Sequence, residues 1–249
     1  MTDTIERFSN RVENYIKYRP GYPPSVVAFL TEKYGLAASH VVVDIGCGTG
    51  ISSVQFLANG NRVIGVEPNS VMRSAAIQLN AGYPLFTCLD GTSGDTTLPD
   101  ASADLIVAAQ AFHWFEPDAA REEFKRILKR NGHVVLIWNE RQLDTTPFLI
   151  EYEALLLRYA TDYGRVRHDH LDTAKLTGFF GKSFDSATFP NLQIFDFDGL
   201  KGRMLSSSYM PSEPSPIFTH MIEDLRSLFA KHAENGRIEV LYDTNVFIS

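Results

Sequence analysis

With only two cysteines in 249 residues, Cys47 and Cys88, the chain cannot build the disulfide framework that small secreted domains rely on. No apolar run approaches the ~18 residues that a membrane-spanning helix requires. Basic residues are outnumbered, 23 Lys and Arg against 30 Asp and Glu for a formal net charge of -7, so the cationic footprint of a non-specific nucleic acid binder is missing. Charges fall within the first seven residues and no apolar run follows, unlike a secretory signal. The expectation is a cytoplasmic protein, monomer or homodimer, that partners neither nucleic acid nor membrane. Internal repeats and low-complexity segments are also lacking, which excludes solenoids and arrays.

What remains is a globular composition, 44% hydrophobic and 21% charged, in a chain long enough to bury a sizeable core as one α/β domain. Residues 41–50 read Val-Val-Val-Asp-Ile-Gly-Cys-Gly-Thr-Gly. The apolar, β-branched run is that of a central parallel strand covered on both faces. The glycines after it let the backbone turn tightly and approach a ligand. A helical pattern from Ile51 to Leu57 then stops before Asn59-Gly60, completing a strand, turn and helix. A dinucleotide fingerprint needs G-x-G-x-x-G, with a pyrophosphate on the helix N-terminus. Here the third glycine comes one residue early, at Gly50, and Ile51 stands where the fingerprint wants it.

The alternation continues. Residues 61–66 form a second apolar strand with Glu67 at its carboxyl end, 17 residues after Gly50. Residues 71–79 suit a helix that Asn69-Ser70 would cap, residues 84–89 a strand, and residues 103–109 a strand running into Gln110-Ala111-Phe112-His113-Trp114-Phe115. Pro117 and Asp118 open a helix with Ala120, Phe124, Ile127 and Leu128 inward, Lys129, Arg130 and Gly132 close it, and residues 133–138 give a fifth strand. Such short joints specify a doubly wound, Rossmann-like parallel sheet. Residues 140–188 then break the rhythm. Phe148, Tyr152, Leu155, Leu156 and Tyr159 suit an amphipathic helix, and residues 163–170 form a polar, basic loop. Residues 188–198 alternate as a strand, residues 213–232 form a helix and residues 237–248 a last strand.

Asp44-Ile45-Gly46-Cys47-Gly48-Thr49-Gly50 matches the form (D/E)-x-G-x-G-x-G at every fixed position. In this the chain resembles the class I S-adenosylmethionine-dependent methyltransferases. The Phe112-His113-Trp114-Phe115 run, the opening around residues 8–23 and the stretch from Arg203 to Pro211 look like a small-molecule, trans-aconitate-like subset of that family. The resemblance spans almost the whole chain and is strongest over residues 8–140. It implies S-adenosylmethionine as cofactor and a seven-stranded sheet, mostly parallel, whose antiparallel last strand lies between the fifth and sixth. It also implies methyl transfer to a small acceptor, with a carboxylate among the candidates. The alternative is a binding module of the same fold that holds the cofactor without turnover.

The expected organisation is a single domain, 1–249, with N-terminal lid helices in 1–35 and a cofactor-binding core in 36–139. A substrate cap in 140–188 and C-terminal strands and helix in 189–249 complete it. Asp44, Gly46, Cys47, Gly48 and Gly50 form the cofactor turn. Glu67, followed by Pro68, accepts the ribose hydroxyls, or complements the dipole of the next helix. Ser93, Gly94 and Asp95 face the adenine, with Asp90 competing for its amine and loop solvation the bland account of all of them. Arg19 is placed to bind the methionyl carboxylate as a bidentate donor. Tyr15 and Tyr18 form a lid, unless their helical spacing means core packing. Ala109 and Gln110 border the methionyl group. His113 is a candidate general base beside the transferred methyl, or a structural histidine between aromatics. His113, Trp114, Arg165, Arg167, Arg203 and Tyr209 are the expected substrate contacts, with His168 and His170 beside them. No metal is expected, because His168-Asp169-His170 has no further ligand at defined spacing.

Overall fold

The computed structural model describes residues 16–161, 173–181, 183–207, 209–211, 213 and 216–249. A seven-stranded sheet has the order β3-β2-β1-β4-β5-β7-β6, with β1 Val41–Ile45, β2 Arg62–Val66, β3 Phe86–Leu89, β4 Ala103–Ala109, β5 Leu128–Arg141, β6 Asp185–Phe195 and β7 Ile238–Ile248. Strands β3, β2, β1, β4 and β5 are parallel. β7 runs the other way beside β5, since Val134 exchanges both backbone bonds with Ser249 while Gln142 N–H donates to Leu241 C=O. This is the mostly parallel sheet with an inserted antiparallel last strand that the resemblance implies.

The helices are α1 Ser25–Tyr34, α2 Ser53–Ala58, α3 Ser70–Leu79, α4 Pro117–Ile127, α5 Pro147–Tyr159, α6 Thr173–Phe180, α7 Phe197–Leu205 and α8 Pro216–His232. The chain divides into two compact units. One holds residues 21–139, 171–189 and 244–249, the other residues 1–20, 140–170 and 190–243. No linker marks the division, because β5, β6 and β7 each carry residues of both units.

In the first unit two apolar layers cover the parallel strands. Ile45, Ile106, Leu136, Phe124 and Ile127 build one, Leu30, Val42, Phe56, Val135 and Ile137 the other. The near-continuous burial of β1 and β4, broken only at Val41 and Asp104, follows from this double cover. In the second unit α5 buries Phe148, Leu149, Tyr152, Leu155 and Leu156 in a cluster with Leu200, Met221, Leu225 and Tyr242.

Three expectations change. The strand expected at 133–138 begins at Leu128, because α4 ends on an extended Leu128 (φ -75°, ψ 134°) with no intervening loop. β6 ends at Phe195, three residues before the expected limit. The helix expected to close over Lys129, Arg130 and Gly132 ends at Ile127. The segment after β6 is the helix α7, capped by the Asp196 carboxylate on Gly199 N–H. Its two glycines are close-packing positions. A Cβ on Gly202 would stand 2.0 Å from the Tyr18 ring, and one on Gly199 2.8 Å from Phe195.

Candidate cofactor site

The candidate site is built at the carboxyl ends of β1, β2 and β4, where open α/β sheets receive ligands. Parallel pairing sets Ile45 beside Val66, and Gly46 N–H donates to Val66 C=O at 2.8 Å, so the glycine turn opens against the end of β2. Gly46 and Gly50 both have left-handed φ, 68° and 84°, which glycine alone adopts without cost. Their missing side chains make room for the chain itself. A Cβ on Gly46 would lie 2.7 Å from Ala111, and one on Gly50 2.4 Å from Asn80 Nδ2. Part of the glycine pattern is therefore internal packing.

Glu67 is nearly buried, 8% exposed. Its Oε2 accepts Gly48 N–H and its Oε1 accepts Asn69 N–H, both at 2.9 Å. Burial raises its pKa, while the Asn69 and Gly48 N–H groups and Arg73 oppose the rise. Each oxygen keeps a lone pair for another donor. The segment after Glu67 is locked from both sides. The Asn69 side chain caps α3 through Val71 and Met72 N–H, and Arg73 donates to Glu67 C=O at 2.6 Å and Pro68 C=O at 3.2 Å while pairing with Asp90.

Asp44 is completely buried. Its Oδ2 accepts the Ser52 and Ser53 hydroxyls at 2.6 and 2.7 Å, so it ties the turn to the start of α2. Burial pushes its pKa up to about 6 against the pull of those hydroxyls. Cys47 is buried with its Sγ 3.5 Å from that of Cys88.

Gln110 ends β4 in a conformation that non-glycine residues rarely take, φ 54°. Its N–H donates to Ile137 C=O and its Nε2 to Asn139 C=O at 3.1 Å, which leaves its buried Oε1 without a hydrogen bond. A strained residue carrying an unmet acceptor is a common mark of a ligand contact. Ala109 precedes it, buried. Phe112–Trp114 is a 3₁₀ turn. There the His113 ring lies 4.4 Å from that of half-exposed Trp114 and 5.3 Å from buried Trp138.

Asp90 and Asp95, the two adenine candidates, both have partners within the chain. Asp90 pairs with Arg73, and Asp95 Oδ1 accepts Thr97 N–H at 3.2 Å in a turn where Thr92 N–H donates to Asp95 C=O. Ser93 and Gly94 form the tip of that turn. Tyr18, Arg19, Arg203 and Tyr209 belong to the second unit. Tyr18 packs on Gly202, and its C=O accepts Gln193 Nε2. Arg19 donates to Ser206 C=O at 3.2 Å. Arg203 donates from Nε to the Tyr242 hydroxyl at 3.0 Å and from Nη1 to the Ser206 and Ser207 hydroxyls, so its acceptors among the described residues are hydroxyls. Arg165, Arg167, His168 and His170 lie outside the described residues, as does Tyr15.

The sequence reading missed the residues that support the site. Ser52, Ser53 and Arg73 hold Asp44, Glu67 and Pro68 in place. The only advance signal was spacing, two hydroxyls at the start of α2 and an arginine one turn into α3. Among the described residues there is no group of three or more His, Cys, Asp or Glu able to hold a metal ion. Nor is any described helix long and apolar enough to cross a membrane.

The comparisons agree with this geometry. A family model described as "Methyltransferase domain" matches residues 43–136, from β1 into β5. An uncharacterized methyltransferase-like protein of Schizosaccharomyces pombe is 31% identical over 252 residues, 98% of this chain and 95% of that one. The chain belongs to the class I S-adenosylmethionine-dependent methyltransferases. An uncharacterized methyltransferase of Mycobacterium tuberculosis is 35% identical over 134 residues, 54% of this chain and 52% of its own. Among solved structures, one provisionally described as a type II methyltransferase from Anaeromyxobacter dehalogenans covers 93% of this chain and 96% of its own with a TM-score of 0.66 at 20% identity. The YcgJ protein of Bacillus subtilis covers 90% and 97% with a TM-score of 0.55, also at 20% identity. At such identity these two bear on the fold alone. The cofactor of this methyltransferase is S-adenosylmethionine.

Proposed function

We propose that this methyltransferase holds its donor on the glycine turn and Glu67 and transfers the methyl group to a small acidic acceptor, with a carboxylate oxygen as nucleophile. The observation that carries the donor half is Glu67, clamped by Gly48 and Asn69 N–H with lone pairs still available for a vicinal diol. The residues fit the group: the buried Gln110 Oε1 supplies an acceptor for the methionyl ammonium, with Ala109 beside it. Ser93, Gly94 and Asp95 would border the adenine. When bound, S-adenosylmethionine supplies an electrophilic methyl on a sulfonium sulfur.

The chain's own task is alignment and exclusion of water. A carboxylate nucleophile is ionised at neutral pH, so no proton has to be removed and His113 serves beside Trp114 as an aromatic wall for the acceptor. Arg203, whose hydrogen bonds among the described residues go to hydroxyls, supports an acidic acceptor, since an ionised partner would add a charge-assisted bond. We further propose that Tyr209, Arg165 and Arg167 take part in acceptor recognition and Tyr18 and Arg19 in donor recognition.

Calorimetry with S-adenosylmethionine and with S-adenosylhomocysteine tests the donor half: micromolar-range binding to the native chain and its loss in Glu67→Ala are expected. Equal binding by both proteins would overturn the reading. A methyl-transfer screen over carboxylates, amines and phenols tests the acceptor half. Turnover of amines or phenols alone would remove the carboxylate proposal, and donor binding with no turnover of any class would favour a binding module.

A further inference from the structure

The two thiols of the chain meet at the cofactor turn. Cys88 lies on β3 directly opposite Gly65 on β2, and Cys47, in the glycine turn, folds back over the same glycine. A Cβ at position 65 would stand 2.6 Å from Cys47 Sγ and 3.2 Å from Cys88 Sγ. Gly65 thus leaves open the space in which the two sulfurs approach to 3.5 Å. Both are free thiols, Cys47 buried and Cys88 half-buried. A disulfide needs the sulfurs at about 2.05 Å, a closure of roughly 1.5 Å through space that no side chain occupies.

We propose that Cys47 and Cys88 form a reversible oxidative modification site, in which a peroxide closes a disulfide that deforms the glycine turn and weakens donor binding. The more accessible Cys88 thiolate attacks one peroxide oxygen. The O–O bond breaks, the hydroxide released takes up the proton that the Cys88 thiol gave up and departs as water, and a sulfenic acid remains. The Cys47 sulfur then attacks the Cys88 sulfur. The S–O bond breaks, and the oxygen leaves as water with the proton that Cys47 held. Two thiols have lost two electrons, and one peroxide has become two waters. The hydrogen bond to Cys88 and burial keep Cys47 protonated at rest, so its proton is available to the departing oxygen in the second step. The closure pulls on the residue between Gly46, bonded to Val66 C=O, and Gly48, whose N–H holds Glu67. Coupling to the donor rests on the assignment of this turn to S-adenosylmethionine, whereas the crosslink does not.

The full chain is treated with hydrogen peroxide and followed by intact mass, by thiol titration and by calorimetry with S-adenosylmethionine. A mass loss of about 2 Da is expected, together with loss of both thiols and donor affinity about tenfold or more weaker, all restored by dithiothreitol. Cys88→Ser retains donor binding and becomes insensitive to peroxide, and Cys88→Ala serves should the serine variant not fold. Gain of oxygen atoms without a crosslink, or a disulfide-linked dimer, overturns the site. A crosslink that leaves donor affinity within about twofold overturns the coupling. Failure of the reduced chain to bind S-adenosylmethionine sinks the donor-site reading and the coupling with it, while the mass change still decides the crosslink.

Discussion

Glu67 and Glu153 are equally buried, each 8% exposed, yet they are held by opposite means. Glu67 sits in the first unit on two backbone N–H groups, from Gly48 and Asn69. Glu153 sits in the second, on α5, and its charge is met by Arg141, whose guanidinium also lies over the Tyr152 ring at 5.2 Å. Backbone donors are fixed once the turn is formed and do not depend on the identity of any donor side chain. A guanidinium depends on one residue 12 positions away, and a single substitution removes it. The first arrangement leaves each Glu67 oxygen a lone pair, and the second commits the carboxylate to an ion pair within the fold.

The comparison breaks most visibly at Arg141. Arg141→Ala removes the guanidinium paired with buried Glu153 and is expected to cost about 3–5 kcal/mol in urea unfolding. A cost under ~1 kcal/mol, the range of exposed pairs, would show that water serves Glu153 as well.

Asp44 is a third buried carboxylate, held by hydroxyls, and it sharpens the contrast through pH. Its folded pKa is raised from 3.8 to about 6, so the folded state binds the extra proton. Stability from this group is therefore greatest below pH ~4 and declines as pH rises toward about 6, by on the order of 3 kcal/mol. Glu123 has the opposite sign. Arg126 holds its pKa down to about 2, and the stability it contributes is lost as pH falls from 4.5 toward that value. The difference in unfolding free energy between native chain and Asp44→Asn isolates Asp44. A difference that stays flat between pH 4 and 6 would refute its burial as a charged group.

Glu67→Ala comes next, with donor affinity expected to fall about 100-fold, or roughly 2.7 kcal/mol. Arg203→Gln should leave that affinity unchanged and raise the acceptor KM. If both variants lost donor affinity alike, the division of labour between the two units would fail. The smallest effect is expected at Gln110, where glycine relieves the positive φ. Gln110→Gly should gain up to about 1 kcal/mol in stability while weakening donor binding. A loss of stability would mean that the Asn139 hydrogen bond outweighs the strain.

The same contrast explains what was legible in the sequence. Val41 to Gly50 and the strand ending at Glu67 were readable because pattern, turn chemistry and site coincide within a short stretch, and backbone donors follow from local spacing. The partners of Asp90 and Asp95 were not, since Arg73 and Thr97 meet them through geometry that spacing does not encode. Helix α7 was hidden for a physical reason. Gly199 and Gly202 signal a loop until the rings of Phe195 and Tyr18 that need the space are in place. Likewise, nothing in the order of residues announces that Tyr242 and two serines collect around Arg203.

One feature of the Phe112–Trp114 turn reaches beyond chemistry. The chain has two tryptophans, and the rings of both lie within 5.3 Å of His113, one sealed in the core and the other half exposed. Their fluorescence is thus a native optical reporter: emission from Trp114 should respond to an arriving acceptor, while emission from Trp138 provides a steady internal reference. Occupancy could be followed without a label, in the same cuvette as turnover.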